Sequence, residues 1–239
     1  MARPETITSQ MRKDILDALM SRFSWPVEEE FMADAFEVTS NPESRTHLVS
    51  WPREALGLTP PFGRYIHELG HALLAERVHP QFSRPFFCRA LDPALRNTYQ
   101  PLFEASLDWY VQGLLMEIAP GPQGDDIDER FRQTAGLLRG GAALPSVEFV
   151  VDSGMALASF TLYRGLETAH KGKLANVVEA FLRTDPAKPT LFGLQSLARR
   201  LMAVFGMHTA QLVHERGFER WRIVPVERQP GIPGESGQA

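Results

Sequence analysis

Apolar residues recur at helical spacing along most of this chain. Ile7, Met11, Ile15, Leu16, Leu19 and Met20 fall on one side of a helix between Glu5 and Phe23, and Trp25-Pro26 ends it. The pattern then changes. Ser40-Asn41-Pro42-Glu43-Ser44 is a turn signal, and Phe36 and Val38 on one flank with Leu48 and Val49 on the other predict a short β-hairpin. Thr59-Pro60-Pro61-Phe62-Gly63 is a stiff lead-in to a second helix, because proline is tolerated at a helix start. That helix is expected to end near Val78-His79-Pro80. Gly70 inside it costs about 1 kcal/mol relative to alanine, which predicts the close approach of another backbone.

Asp92-Pro93 reads as an N-cap followed by proline at the first helical position. The helix it opens should reach Ile118, and it is apolar nearly all round, the mark of a buried helix. Pro120-Gly121-Pro122-Gln123-Gly124 predicts an exposed loop. Further helices are expected over Asp125 to Arg139, Pro145 to Leu166, Lys173 to Arg183 and Leu191 to Phe205, with a short one from Thr209 to Gly217 carrying His214. The fold class that follows is mainly α with a small β-hairpin or sheet (α+β). One domain is expected over 1–224, with a possible lobe boundary near 119–125 and a flexible tail over 225–239.

Composition narrows the partners. The 239 residues carry a formal net charge of −4 with no block of like charge, so neither nucleic acid nor an anionic membrane surface is expected as the main partner. Cys88 stands alone, which excludes an intramolecular disulfide and a multi-cysteine zinc knuckle. No apolar leader and no span-length apolar run is visible, so a cytoplasmic location is the expectation. No internal repeat stands out.

The chemistry concentrates in Arg64 to Leu74, which contains His67-Glu68-Leu69-Gly70-His71. Positions four apart on a helix share one face, so His67 and His71 can hold one metal ion between them. Glu68 stands about 100° further round, where a carboxylate reaches a water on the metal without ligating the metal itself. The downstream apolar helix holds two acids one turn apart, Glu104 and Asp108. Buried carboxylates are costly unless paired or metal-bound, so something cationic should face them. Glu104 is the expected third ligand, and Asp108 the acceptor that orients a ligand histidine, His67 first. Asp108 itself, with Glu104 in support, and Asp152 are the alternatives; His79 lies past the helix end.

The His-Glu-x-x-His segment resembles the signature of zincin metallopeptidases, and Glu104-Ala105-Ser106-Leu107-Asp108 resembles the Glu-x-x-x-Asp element of the gluzincin, thermolysin-like branch. Leu74 and Arg77 stand where a metzincin needs glycine and histidine. The resemblance covers the two helices from Pro61 to Ile118. It implies zinc held by His67, His71 and Glu104, with Asp108 behind them and Glu68 as the base that activates metal-bound water against a peptide carbonyl. It also gives Thr46 to Trp51 a possible role as the sheet edge that binds an extended peptide or protein substrate. The oxyanion donor would come from Tyr110, Tyr163, His208 or His214. Leu107-Asp108-Trp109 is similar to the elongation factor P hydroxylases as well, which implies iron and oxidation as the alternative. A zincin-like module that binds protein without turnover is the third expectation.

Overall fold

The computed structural model describes residues 7–33, 36–52, 61–140, 146–166 and 169–226. Its first helix, α1 (Ser9–Met20), is capped by Thr8, whose Oγ1 accepts from the Met11 amide at 3.2 Å, and it buries Ile15 and Leu19. Three short strands follow: β1 (Val27–Ala33), β2 (Glu37–Asn41) and β3 (Thr46–Pro52). The predicted hairpin forms, with Val38 opposite Val49, and Asn41 Oδ1 closes its turn by accepting from the Glu43 and Ser44 amides at 2.9 and 3.2 Å. β1 then pairs in parallel along the other side of β3, giving the order β1-β3-β2. Thr46 to Trp51 is therefore the central strand. Its backbone groups are taken on both sides, so the expected substrate-binding edge is not there.

Helix α2 (Phe62–Arg77) buries Ile66, Leu69, Ala72 and Leu73 and lies against α3 (Pro93–Ile118). Asp92 caps α3, its Oδ1 accepting from the Ala94 amide at 2.9 Å, with Pro93 at the first turn as expected. Gly70 sits at the α2–α3 contact. A Cβ placed on it would stand 2.7 Å from Val111 Cγ1, so the close approach is that of a side chain rather than the expected backbone. At Gly113 the neighbour is main chain: a Cβ would lie 2.5 Å from the Pro186 carbonyl oxygen.

Ala119 alone separates α3 from α4 (Pro120–Arg139). The expected loop at 120–124 is instead the first turn of α4, because prolines placed there forfeit no intrahelical hydrogen bond. Three helices complete the body: α5 (Val147–Arg164), α6 (Gly172–Leu182) and α7 (Leu191–Phe205). α5 packs on α3, α4 and α6. The described residues end in a hairpin, β4 (His208–Glu215) and β5 (Phe218–Pro225), where a short helix and the start of a tail were expected. Arg216 (φ 52°) and Gly217 (φ 84°) make its two-residue turn, the doubly left-handed form that matches strand twist. Ala210, Trp221 and Ile223 turn inward. The expected features at Thr59-Pro60, Gly141, Pro145 and 227–239 fall outside the described residues.

The protein is thus mainly α with a small β part, and its hydrophobic core runs from Ile15 in α1 to Ile223 in β5. Among the described residues no helix is long and apolar enough to cross a membrane. A buried polar contact ties α2 to the sheet. His47 of β3 is fully buried, its Nε2 3.0 Å from Glu76 Oε2 of α2 and its Nδ1 2.9 Å from Ser40 Oγ. Burial lowers the pKa of His47 despite Glu76, so the neutral imidazole donates to Glu76 and accepts from Ser40. Burial acts against ionising Glu76 too, but His47 and the Ser24 and Trp25 amides outweigh it and hold the carboxyl below its usual range.

Two expectations follow for stability. Alanine at Gly70 gains about 1 kcal/mol of helix propensity and loses about 1–3 kcal/mol to overpacking, so a modest net loss is expected. Gly113→Ala should lose more, about 3 kcal/mol, because a main-chain carbonyl cannot rotate aside. Urea unfolding of both variants checks that order. For Glu76 the depressed folded pKa means its contribution is full above the ordinary value of 4.5 and is lost as pH falls through the folded value. Glu76→Gln should therefore cost about 2 kcal/mol at neutral pH, and the gap from wild type should close on acidification; a gap that widens would contradict an ionised Glu76.

Candidate metal centre

Three side chains from α2 and α3 converge. His67 Nε2 and His71 Nε2 are 3.2 Å apart, and Asp108 Oδ1 lies 3.2 Å from the first and 3.1 Å from the second. Two residues a turn apart on α2 present their rings to one point, and α3 brings the carboxylate from across the helix pair. His71 is nearly enclosed, its side chain 11% exposed, while His67 and Asp108 stay more open at 25% and 30%.

Hydrogen bonding specifies the chemistry of this group. His71 Nδ1 is 2.9 Å from the Phe82 carbonyl oxygen, which can only accept. Nδ1 therefore carries a hydrogen, and in the neutral ring the lone pair sits on Nε2, aimed at Asp108 and His67. A lone pair, a carboxylate oxygen and a second imidazole nitrogen facing one another repel unless a cation lies among them. A proton can serve: burial acts against charge on Asp108 and on His71, but the hydrogen bonds of His67 and His71 outweigh it at Asp108, and the bond to Asp108 outweighs it at His71. Asp108 is accordingly held far below the usual carboxylate range, and the pKa of His71 is raised. A divalent ion can serve as well. Ligand atoms stand roughly 3.3 Å apart around tetrahedral zinc with bonds of about 2.0–2.1 Å, and roughly 3.0 Å apart around a six-coordinate ion of similar bond length. The observed spacings fall between these values, so the donor set fits a metal.

Of the residues predicted for the site, the structure brings His67, His71 and Asp108 together; this is the group among the described residues whose ligand atoms all lie within 4.8 Å of one another. Glu104 is not among them. It is exposed one turn earlier on α3, where its Oε1 accepts from Gln100 Nε2 at 2.7 Å, so Asp108 stands in the ligand position expected of Glu104. The helix crossing is the reason: α2 meets α3 at Gly70 and Val111, closer to Asp108 than to Glu104. Glu68 is half-buried beside His67, near enough to act on the charge of His71, and its carboxylate makes no hydrogen bond or ion pair among the described residues.

The other candidates scatter. His79 accepts from the Gln81 amide and pairs with Glu219 at 2.9 Å, and His208 bonds Tyr99 at 3.0 Å. Tyr110 is buried against Phe82, Tyr163 lies on α5, and His214 lines a separate groove between the two hairpins. A cleft of about 480 Å³ opens instead between α3, α4 and α5, with His67 and Asp108 on one wall. Asp152 lies on the opposite wall, where burial, then Glu148 and Asp108, push its pKa up to about 6. Gln112, Asp126 and Arg130 line the cleft without having been anticipated. Gln112 was in reach of the sequence, one helical turn beyond Asp108; Asp126 and Arg130 fall in the helix expected over Asp125 to Arg139, but which surface that helix turns toward α3 and α5 is a tertiary matter.

Zinc titration of the metal-free protein tests the ligand set. His71→Ala and Asp108→Ala should each weaken binding by more than about 100-fold, whereas Glu104→Ala should stay within about threefold. Loss of zinc in Glu104→Ala would return Glu104 to the ligand set. No protein-family model, no curated protein and no solved structure matches this chain, so its function has to be argued from the triad and the cleft beside it.

Proposed function

We propose that this chain is a metal-dependent hydrolase of the zincin kind, acting on peptide or protein substrates. The observation that carries the reading is the His67, His71 and Asp108 triad with Glu68 next to His67 on α2, its carboxylate without a hydrogen bond or ion pair among the described residues. A zinc ion held by the triad would act as a Lewis acid toward a carbonyl and bring the pKa of a water near 7. Phe82 fixes the His71 ring through its carbonyl, so the lone pair points inward before any ligand arrives. Glu68, which has no competing partner among the described residues, takes the proton from the attacking water, then returns it to the leaving amine. The cleft places a substrate against His67 and Asp108 from the α4–α5 side.

A second reading has one observation in its favour. With Asp108 rather than Glu104 in the group, two histidines and one carboxylate on the Leu107-Asp108-Trp109 element match the donor set of a non-haem iron site, and oxidation rather than hydrolysis would follow. Glu68 separates the two, since an oxidation of that kind has no need of a base at this position.

The decisive experiment measures cleavage of a mixed fluorogenic peptide set by zinc-loaded protein, with metal content read on the same samples. Glu68→Gln should keep its zinc and lose about 10²–10⁴-fold in kcat. Unchanged cleavage in Glu68→Gln, or turnover that requires oxygen and bound iron, would overturn the hydrolase.

A further inference from the structure

Hydrolysis of a peptide bond puts negative charge on the carbonyl oxygen, and that oxygen needs a hydrogen-bond donor. None of Tyr110, Tyr163, His208 and His214 lines the cleft beside the triad, but Gln112 does. It follows Asp108 by four residues on α3, so it shares a helix face with that carboxylate and stands about 6 Å further along the axis. A carbonyl laid against the triad from the cleft meets Gln112 as the next group on α3.

The carboxamide of Gln112 is held at one end and open at the other. The residue is 6% exposed, and its Oε1 accepts from Ser159 Oγ at 2.7 Å. Nε2 has no acceptor among the described residues and yet is not sealed from solvent, so its hydrogens open on the cleft. Ser159 does not require this amide, because the Met155 carbonyl at 2.8 Å is a second acceptor for its hydroxyl. An apolar side chain of the same length would fill the position without burying a carboxamide whose N–H groups lack a protein partner. Two donors on the α4 wall are already committed, Arg130 Nε to Asp126 and Gln133 Nε2 to Glu129, each at 2.8 Å.

We propose that Gln112 is the oxyanion donor of this site, its Nε2 hydrogens stabilising the charge that develops on the carbonyl oxygen of a scissile peptide bond. The assignment rests on the hydrolase reading. As the water oxygen bonds to the carbonyl carbon, the water proton passes to Glu68 and the carbonyl π pair moves onto oxygen. On collapse that pair re-forms the double bond, the C–N bond breaks, and the amine leaves with the proton from Glu68. The oxygen carries its charge between these two events, and there Gln112 acts. Ser159 keeps the amide in place beforehand, and burial leaves its N–H dipoles weakly screened.

The test compares the zinc-loaded full chain with Gln112→Met, which keeps the side-chain length and removes both donors. Two analogues of acetyl-alanyl-alanine N-methylamide serve as probes. In one an anionic phosphinate and a methylene replace the peptide group, and in the other a neutral ketone and a methylene do. Gln112→Met should bind zinc and the ketone within about threefold of wild type but the phosphinate about 10²-fold more weakly. On the mixed fluorogenic peptides its kcat should fall about 10²–10³-fold with KM nearly unchanged. In wild type the Gln112 side-chain ¹⁵N–¹H pair, identified by its absence from the variant, should move downfield when the phosphinate is added. Unchanged kcat, an equal loss of both probes, a rise in KM alone, or an unmoved amide pair would overturn the oxyanion role, and cleavage by wild type would leave the hydrolase standing. Absence of zinc-dependent cleavage by wild type would overturn both.

Discussion

The tight contact of α2 and α3 at Gly70 and Val111 fixes where the His67, His71 and Asp108 group can form. Gly70 precedes His71 by one residue, and Val111 follows Asp108 by three, so this contact lies beside both His71 and Asp108. A side chain at Gly70 would hold the helices apart, and the carboxylate would no longer reach two imidazoles at little more than 3 Å. The apolar faces around that contact, with Leu69 and Leu73 on α2 and Leu107 and Leu115 on α3, are buried and supply the driving force that keeps it closed. The packing that closes this part of the core is thus also what brings the three side chains together.

The centre is also prepared from outside the helix pair. Phe82, in the 3-10 turn that follows α2, gives its carbonyl to His71 and its ring to Tyr110 of α3. Glu76, at the other end of α2 from the lead-in, is held by His47 and by two backbone amides near the end of α1. The helix that carries both histidines is therefore pinned at its last turn by the sheet and beside its second histidine by the turn it leads into.

Much of this was legible in the chain. The ends of α2, α3 and α7 were read nearly to the residue, α3 from its Asp92-Pro93 start and α2 from the prolines that flank it. The histidine pair was legible for the same reason, since helix geometry alone puts His67 and His71 on one face. The choice between Glu104 and Asp108 was not. Both sit on one stripe of α3, and which of them meets α2 depends on where the helices cross, a tertiary quantity absent from local spacing. The C-terminal hairpin was missed because its turn is Arg216-Gly217, in which an arginine takes the left-handed position usually left to asparagine or aspartate. The α4 start was missed because Pro120, Gly121, Pro122 and Gly124 read as breakers anywhere except in a first helical turn.

The single residue between α3 and α4 has a mechanical meaning. Ala119, at φ −137° and ψ 59°, serves both as the end of one helix and as the start of the next. Two torsions are the only soft degrees of freedom in that joint, and Ala119 is itself 2% exposed. The walls bearing Asp108 and Arg130 consequently behave as the arms of one bent rod. The third wall is α5, which carries Asp152 and packs on both arms of that rod, so the cleft is bounded by one continuous bent element and one helix laid across it.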